Sequence, residues 1–471
     1  MEKEWSLLPD TSARAVEFSQ RIGTTPFTAA LLLHRGITSD EEARAFLHPE
    51  KQPFHDPFLM RDMEKAVSRI EQAIQAQERI VVYGDYDVDG ITATSLLCRS
   101  LRQLGADVGY FIPHRQKDGY GLHKETLDEI IAEGAELIVT VDCGISAVEE
   151  AAAAKDKVDL IITDHHLPGK ELPKAFAVID PHRADCAYPD KNIAGVGVAF
   201  KLCQALWQKM RGKAFTGDLD IVTLGTVADV VPLLGENRKI VQQGLRVLKK
   251  SKRPGIQALL AVTELQEKEI TAGHIGFVLA PRLNAAGRLA SALRGVELLL
   301  TEDGEEAQAI AEELDAANRE RQAVEQEILQ AAEKQIEEID VKRAHVLVLH
   351  GEGWHPGVIG IVASRIVERY YRPTVIIAEE DGIGKGSCRS IRGFHMFEAL
   401  SACGEHLLGF GGHAQAAGLS LRSADIASFR EALEAYAAKV LTEEDFVPIL
   451  DIELELAPEK ITEQLMTEIK L

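Results

Sequence analysis

Between Val81 and Thr92 the chain reads VVYGDYDVDGIT: an apolar run, then Asp85, Asp87 and Asp89 at every second position, then Gly90. Further along, Asp142 lies in TVDCG, Asp164, His165 and His166 in TDHH, and Asp229 in TVADVV. Crowded carboxylates repel, and they stay ionised together only where a cation neutralises them. Oxygen ligands joined by one or two imidazoles suit Mn2+ or Mg2+, and a bridging carboxylate such as Asp142 can hold two ions about 3.5 to 4 Å apart. A lone aspartate at a strand end is most often a helix cap, and a lone buried histidine a satisfied core residue. Asp89 and Asp164 fit that plainer account, but the complete set does not. A nucleotide site without metal is disfavoured, since no GxGxxG follows the first strand and three acids there would repel a pyrophosphate.

These residues need elements that bring them to one place. From residue 79 onward, β-branched apolar runs (RIVVYG, DVGYFIP, ELIVTVD, VDLIITD, AFAVID) alternate with helical stretches such as 90–104 and 145–155, the pattern of a parallel α/β sheet. Ligands of such a sheet bind at its carboxyl edge, and each polar group above follows the end of an apolar run or a helical one. Residues 194–300 read as helices. The acidic stretch 305–338 has neither proline nor glycine and reads as one long helix, after which a second, smaller α/β pattern begins. The fold predicted is α/β, a parallel-sheet domain joined by a long helix to a smaller α/β domain. Its boundaries are an N-terminal lobe at 1–74, a first domain with helical extension at 75–301, the connecting helix at 302–340, a second domain at 341–440, and the start of a further domain at 441–471.

Composition bounds the partners. The chain has 471 residues, 46% of them hydrophobic and 27% charged, enough for two or three domains. It has neither an apolar run near the roughly 20 residues of a membrane span nor a basic, apolar leader, so a cytoplasmic location is expected. Six scattered cysteines form no CxxC pair and read as reduced thiols. The net charge of −22 argues against a nucleic-acid partner, but residues 302–340 carry −11 of it and 441–471 carry −7. The remaining surface is nearly neutral and has room for phosphate-binding arginines. Arg115 stands just past a strand end in IPHRQKDGYGL, a candidate for binding phosphate, and PRLNAAGR offers Arg282, Asn284 and Arg288. In the second domain, Arg389 and Ser390 of GSCRS offer a guanidinium fork and a hydroxyl, and Gly411 and Gly412 bring backbone donors beside His413. His355 in GWHPG is a further candidate.

Taken in order, GDYDVDG, VDCG, DHH and LGTVADVVPL resemble the DHH phosphoesterase superfamily. PRLNAAGR, GWHPGVIGIVASR, GSCRS and GGHAQAAG are similar to the RecJ exonucleases within it, over roughly residues 75–425. The resemblance implies a 5′-to-3′ exonuclease specific for single-stranded DNA, working in DNA repair and recombination. It implies two ions, Mn2+ or Mg2+, held by Asp85, Asp87, Asp142, His165 and Asp229. Asp142, His165 and His166 would be the catalytic trio, with His166 facing the scissile phosphate or a metal. The second domain resembles the substrate-holding DHHA1 module, and an OB-fold would begin at 441–471. A helicase and a single-stranded-DNA-binding protein are the implied partners. One departure stands out: manganese pyrophosphatases of the superfamily have a histidine where this chain has Val81, which leaves one ion with fewer ligands. The alternative is a DHH phosphodiesterase for short oligonucleotides or cyclic dinucleotides.

Overall fold

The computed structural model describes residues 3–115, 118–289 and 291–470. Its strands, in chain order, are β1 (Glu4–Leu7), β2 (Arg79–Tyr83), β3 (Asp107–Phe111), β4 (Leu137–Val141), β5 (Asp159–Thr163), β6 (Ala177–Ile179), β7 (Leu347–Glu352), β8 (Thr374–Glu380), β9 (Ile383–Arg389), β10 (Gly409–Gly412), β11 (Ala416–Arg422) and β12 (Ile449–Ile452). They belong to two compact units. The first is Ser39–Asn318, and the second joins Met1–Thr38 to Arg319–Leu471.

The first unit is built on a parallel sheet of order β3-β2-β4-β5-β6. Strand periodicity sends alternate side chains to opposite faces. Ile80 and Val82 accordingly pack with the helices Met63–Ala76, Val88–Leu104 and Gly195–Arg211 on one face. Val81 and Tyr83 pack with Leu127, Ile130 and Ala151 on the other. Burial on both faces is why β2 and β4 read as continuous apolar runs, and it settles the expected fold class as α/β with a parallel sheet. Tyr83 pairs with Thr140, and Val141 with Thr163, so the central strands end nearly in step. The residues that follow those ends therefore share one edge of the sheet.

Helix Val88–Leu104 starts at that edge, with the Asp87 carboxylate accepting from the amides of Asp89 at 2.9 Å and Gly90 at 3.1 Å. Gly90 has to be a glycine, because a Cβ there would lie 2.4 Å from the Asp85 carbonyl oxygen. Helix Leu219–Ala228 ends at the same edge and delivers Asp229.

In the second unit a mixed sheet of order β10-β11-β9-β8-β7 carries helix Ile359–Tyr370, and its apolar core includes Phe394, Phe429 and Leu433. The chain's ends meet in this unit: β1 pairs in parallel with β12, from Glu4 opposite Ile449 to Leu7 opposite Ile452. Glu468 accepts from the hydroxyls of Thr25, at 2.7 Å, and Thr28. Residues 1–38 and 39–74, grouped as one lobe from the sequence, thus fall in different units. The acidic stretch forms a single 34-residue helix, Gly304–Glu337. All six cysteines are free and buried, and among the described residues no helix is long and apolar enough to cross a membrane.

Candidate metal centre and phosphate-binding groups

At the carboxyl edge of the first unit's sheet, three overlapping groups of side chains have ligand atoms within 4.8 Å of one another: Asp85–Asp87–Asp142, Asp142–His165–His166 and Asp89–His165–Asp229. His165 Nε2 is at the junction, 3.2 Å from Asp142 Oδ1, 3.6 Å from Asp229 Oδ2 and 3.8 Å from Asp89 Oδ2. Asp142 turns the chain just past β4 with φ of 61°, a left-handed conformation that few residues other than glycine adopt. Its carboxylate fits only because residue 195 is glycine, where a Cβ would lie 2.4 Å from Asp142 Oδ1.

Asp85 Oδ1, Asp142 Oδ1, His165 Nε2 and Asp229 Oδ2 are buried and have no hydrogen-bond partner. Each such atom costs roughly 1 to 3 kcal/mol, and more when charged. Burial, and then the charge of Asp87, lifts the Asp85 carboxyl to about 8; the same two causes lift Asp229 to about 7. Asp89 and Asp142 are pushed well above the usual carboxylate range, by burial first and by neighbouring carboxylates second. Burial also lowers His165, to about 4, which leaves its imidazole neutral. Unpaired oxygens and a neutral imidazole converging in one buried place form a donor set that suits divalent cations.

The plainer roles weighed for Asp89 and Asp164 are present too. Asp89 accepts from the amides of Gly195 at 2.7 Å and Val196 at 2.8 Å, which fixes the start of helix Gly195–Arg211. Asp164 accepts from the amides of Ile145 and His165, and from His166 Nδ1 at 2.7 Å. Burial works against a charged His166, but the Asp164 carboxylate outweighs it and holds the imidazole above its ordinary pKa. His166 keeps 45% of its side chain exposed, so this charge faces solvent.

Sequence reasoning missed two supporting groups. The Tyr120 hydroxyl lies 3.0 Å from His166 Nδ1 and 3.4 Å from the Asp142 carbonyl oxygen. A signal was available in Gly119 and Gly121, which flank it with φ of 83° and 94°. His182 Nδ1 sits 2.7 Å from the His165 carbonyl oxygen, and it follows the end of β6 just as the other groups follow theirs. Val81 lies in the apolar layer with Ile138 and Ile162.

Of the arginines of the first unit, Arg115 and Arg288 are brought toward the cluster. The Arg115 guanidinium lies 4.7 Å from the centre of the Tyr86 ring and draws the Asp85 pKa downward. Helix Ala280–Leu289 passes so close that a Cβ on Gly287 would be 2.8 Å from the Tyr86 carbonyl oxygen, and Arg288 follows in sequence. Asn284 is half-buried on the same helix. Arg282 departs from expectation: it donates to Asp315 at 2.9 Å and to the Val278 carbonyl at 2.7 Å, so its charge is neutralised inside the unit.

In the second unit, Arg389 at the end of β9 donates to Ser364 Oγ at 3.2 Å, Ser387 Oγ at 3.3 Å and the Cys388 carbonyl at 2.8 Å. A Cβ on Gly360 would lie 3.2 Å from Arg389 Nη2, which places the fork against the first turn of helix Ile359–Tyr370. His355, just upstream, is half-buried and accepts from the Gly357 amide at 3.1 Å, and burial lowers its pKa. Gly411, Gly412 and His413 are exposed; Gly412 has φ of 141°, and a Cβ there would meet the Ala416 carbonyl oxygen at 2.5 Å. Ser390 is the second departure. It is 8% exposed, and its hydroxyl donates to the Phe394 carbonyl at 2.7 Å, closing a turn instead of facing a ligand.

A parallel sheet that gathers carboxylates and imidazoles along its carboxyl edge is the class of domain that carries a metal-dependent site. Residues 79–226 match the DHH family, N-terminal domain, and 342–439 match the DHHA1 domain. The single-stranded-DNA-specific exonuclease RecJ of Bacillus subtilis is 43% identical over 470 residues, covering 99% of this chain and 59% of its own length. RecJ of Dickeya dadantii is 44% identical over 423 residues, 85% of this chain and 73% of its own. The crystal structure of RecJ from Thermus thermophilus in complex with Mn2+ superposes with a TM-score of 0.85 at 35% identity, covering 99% of this chain and 67% of that one. The chain belongs to the RecJ family. It spans about 59% of the length of the Bacillus subtilis relative.

Proposed function

We propose that this chain hydrolyses phosphodiester bonds of single-stranded DNA as a 5′-to-3′ exonuclease, in the cytoplasm and in the service of DNA repair and recombination. The observation that carries the proposal is the convergence of Asp85 Oδ1, Asp142 Oδ1, His165 Nε2 and Asp229 Oδ2, buried and unpaired, at the carboxyl edge of the sheet. Asp85, Asp87, Asp142, His165 and Asp229 would hold two divalent ions, Mn2+ or Mg2+, with Asp142 between them. Such a pair, when bound, would supply Lewis-acid activation of water and charge neutralisation at the phosphate. The chain's own groups do the remaining work. Neutral His165 offers its lone pair without competing for a proton, and His166, whose pKa Asp164 raises, would bring positive charge to the scissile phosphate. Arg115 beside Tyr86 is placed to meet a terminal phosphate, and Arg389 is the guanidinium of the second unit suited to the backbone. A helicase that exposes single strands, and a protein that coats them, are the partners such an activity calls for.

The test is degradation of an end-labelled single strand of about 40 nucleotides, the matching blunt duplex and a dinucleotide, in Mn2+ or in chelator. The expected result is rapid shortening of the single strand from its 5′ end, little cleavage of the duplex, and none of any substrate in chelator. Asp142→Asn should lower the rate by several orders of magnitude while strand binding persists. Preference for the dinucleotide over the long strand would select the short-oligonucleotide phosphodiesterase instead.

A further inference from the structure

On the first unit, away from the carboxylate cluster, lies a cavity of about 580 Å3 whose lining includes Arg99, Asp218, Lys250, Lys252 and Arg253. Asp89 and Arg99 share the helix Val88–Leu104, and at about 1.5 Å per residue they stand roughly 15 Å apart along it. The cavity is therefore separate from the cluster. The sequence around its rim, Arg246–Arg253, reads RVLKKSKR, five cations in eight residues with no acid, in a chain of net charge −22. Lys250 and Lys252 are exposed, and their ammonium groups make no hydrogen bond or ion pair among the described residues. A basic run held against the chain's overall charge is the mark of an anionic ligand.

The rest of the cavity says which anion. Its floor is a buried network in which Arg253 pairs with Asp218 and, at 3.0 Å, with Asp220. Ser251 Oγ donates to Asp220 at 2.7 Å. Arg99 Nε and Asp218 Oδ2 approach to 3.6 Å, too far for a hydrogen bond, and both atoms are buried without a hydrogen-bond partner. Val247 and Leu299 supply apolar wall. The cavity thus presents two ammonium groups, one carboxylate, Glu302, and an apolar face. Inorganic phosphate would answer only the ammonium groups, whereas a nucleotide has a phosphate for them and a flat base for the wall. The volume lies within the roughly 300 to 1,000 Å3 of small-molecule sites.

We propose that this cavity is a second nucleotide-binding site, which takes a phosphate on Lys250 and Lys252 and the attached base against Val247 and Leu299, whether the nucleotide is a free 5′-mononucleotide or one unit of a strand.

Equilibrium dialysis in metal-free buffer tests it, with the whole chain and with a Lys250→Ala/Lys252→Ala variant, against deoxyadenosine 5′-monophosphate, inorganic phosphate and a strand of about 12 nucleotides. The expected result is at least a tenfold loss of affinity in the variant. A loss seen with the mononucleotide identifies the free nucleotide as ligand. A loss confined to the strand, with a salt slope shallower by about 0.7 for one phosphate contact, identifies the backbone. Equal affinities of the two proteins for both the mononucleotide and the strand overturn the proposal, as does inorganic phosphate binding as tightly as the mononucleotide. The readout is binding without metal, so its failure is distinguishable from failure of the exonuclease reading, which rests on hydrolysis.

Discussion

At the scale of single residues, charge by itself does not mark a group that meets substrate; what its hydrogen bonds already hold does. Arg282 and Arg389 look alike in the sequence, but Arg282 is neutralised by Asp315, whereas Arg389 is steadied at a strand end by two hydroxyls and a carbonyl. Those groups hold the guanidinium fork at the strand end, against the first turn of helix Ile359–Tyr370. Replacing Arg389 with Ala should cost about 1.5 to 3 kcal/mol of single-strand interaction, the worth of a charge-assisted hydrogen bond. It should also make the salt dependence shallower by about 0.7, one phosphate contact on a single strand. Binding titrations from about 50 to 300 mM salt check this, with metal content measured alongside and expected to stay constant. Unchanged affinity and slope would reduce Arg389 to a brace between Ser364 and Ser387.

The elements position the site through close approach, which makes glycine the informative residue. The amide of Gly195 donates to Asp89 at 2.7 Å, pinning the start of its helix, while its bare α-carbon leaves room for the Asp142 carboxylate. Gly195→Ala places a methyl 2.4 Å from Asp142 Oδ1, and the pinned helix leaves the carboxylate as the part that moves. The variant should lose at least about 100-fold in hydrolysis and roughly 1 to 3 kcal/mol in stability, the usual cost of overpacking. Rate assays paired with thermal melts test it, and wild-type activity would mean that Asp142 tolerates displacement. The strand ends were legible in the sequence because a β-branched run closed by aspartate is a local pattern, and with them came the fold class and the residues that gather at the sheet edge. What stayed hidden depended on distant partners. Arg282 meets Asp315, β1 pairs with β12, and Tyr120 reaches His166, none of which any local periodicity encodes. Ser390 was hidden for a different reason, since its hydroxyl turns back to a carbonyl four residues on, and a motif does not say which way a side chain points.

For the molecule as a whole, the cluster is a source of instability that a bound cation would relieve, and pH reveals it. In the metal-free fold Asp85 titrates at about 8 and Asp229 at about 7, against 3.8 for an ordinary aspartate. Near neutral pH the folded chain therefore holds protons that the unfolded chain has released, and stability falls as pH rises. His166, raised above 6.5, acts in the same direction. His165 acts oppositely, being lowered to about 4, and its effect is half spent at 6.5 and ends about one pH unit higher, as the unfolded imidazole finishes losing its proton. From about 6.5 to 8 this opposing effect therefore fades while that of the carboxyls persists. Each carboxyl that stays protonated only in the fold costs about 1.4 kcal/mol per pH unit there. In chelator the melting temperature should fall by about 3 °C or more between pH 6.5 and 8. Saturating Mn2+ should raise it most at the upper end, because bound metal replaces the protons that the carboxylates must give up. A melting temperature that is flat or rising with pH in chelator, or one indifferent to Mn2+ at pH 8, would mean that the buried carboxylates are satisfied without a cation and that the proposed ligand set is wrong.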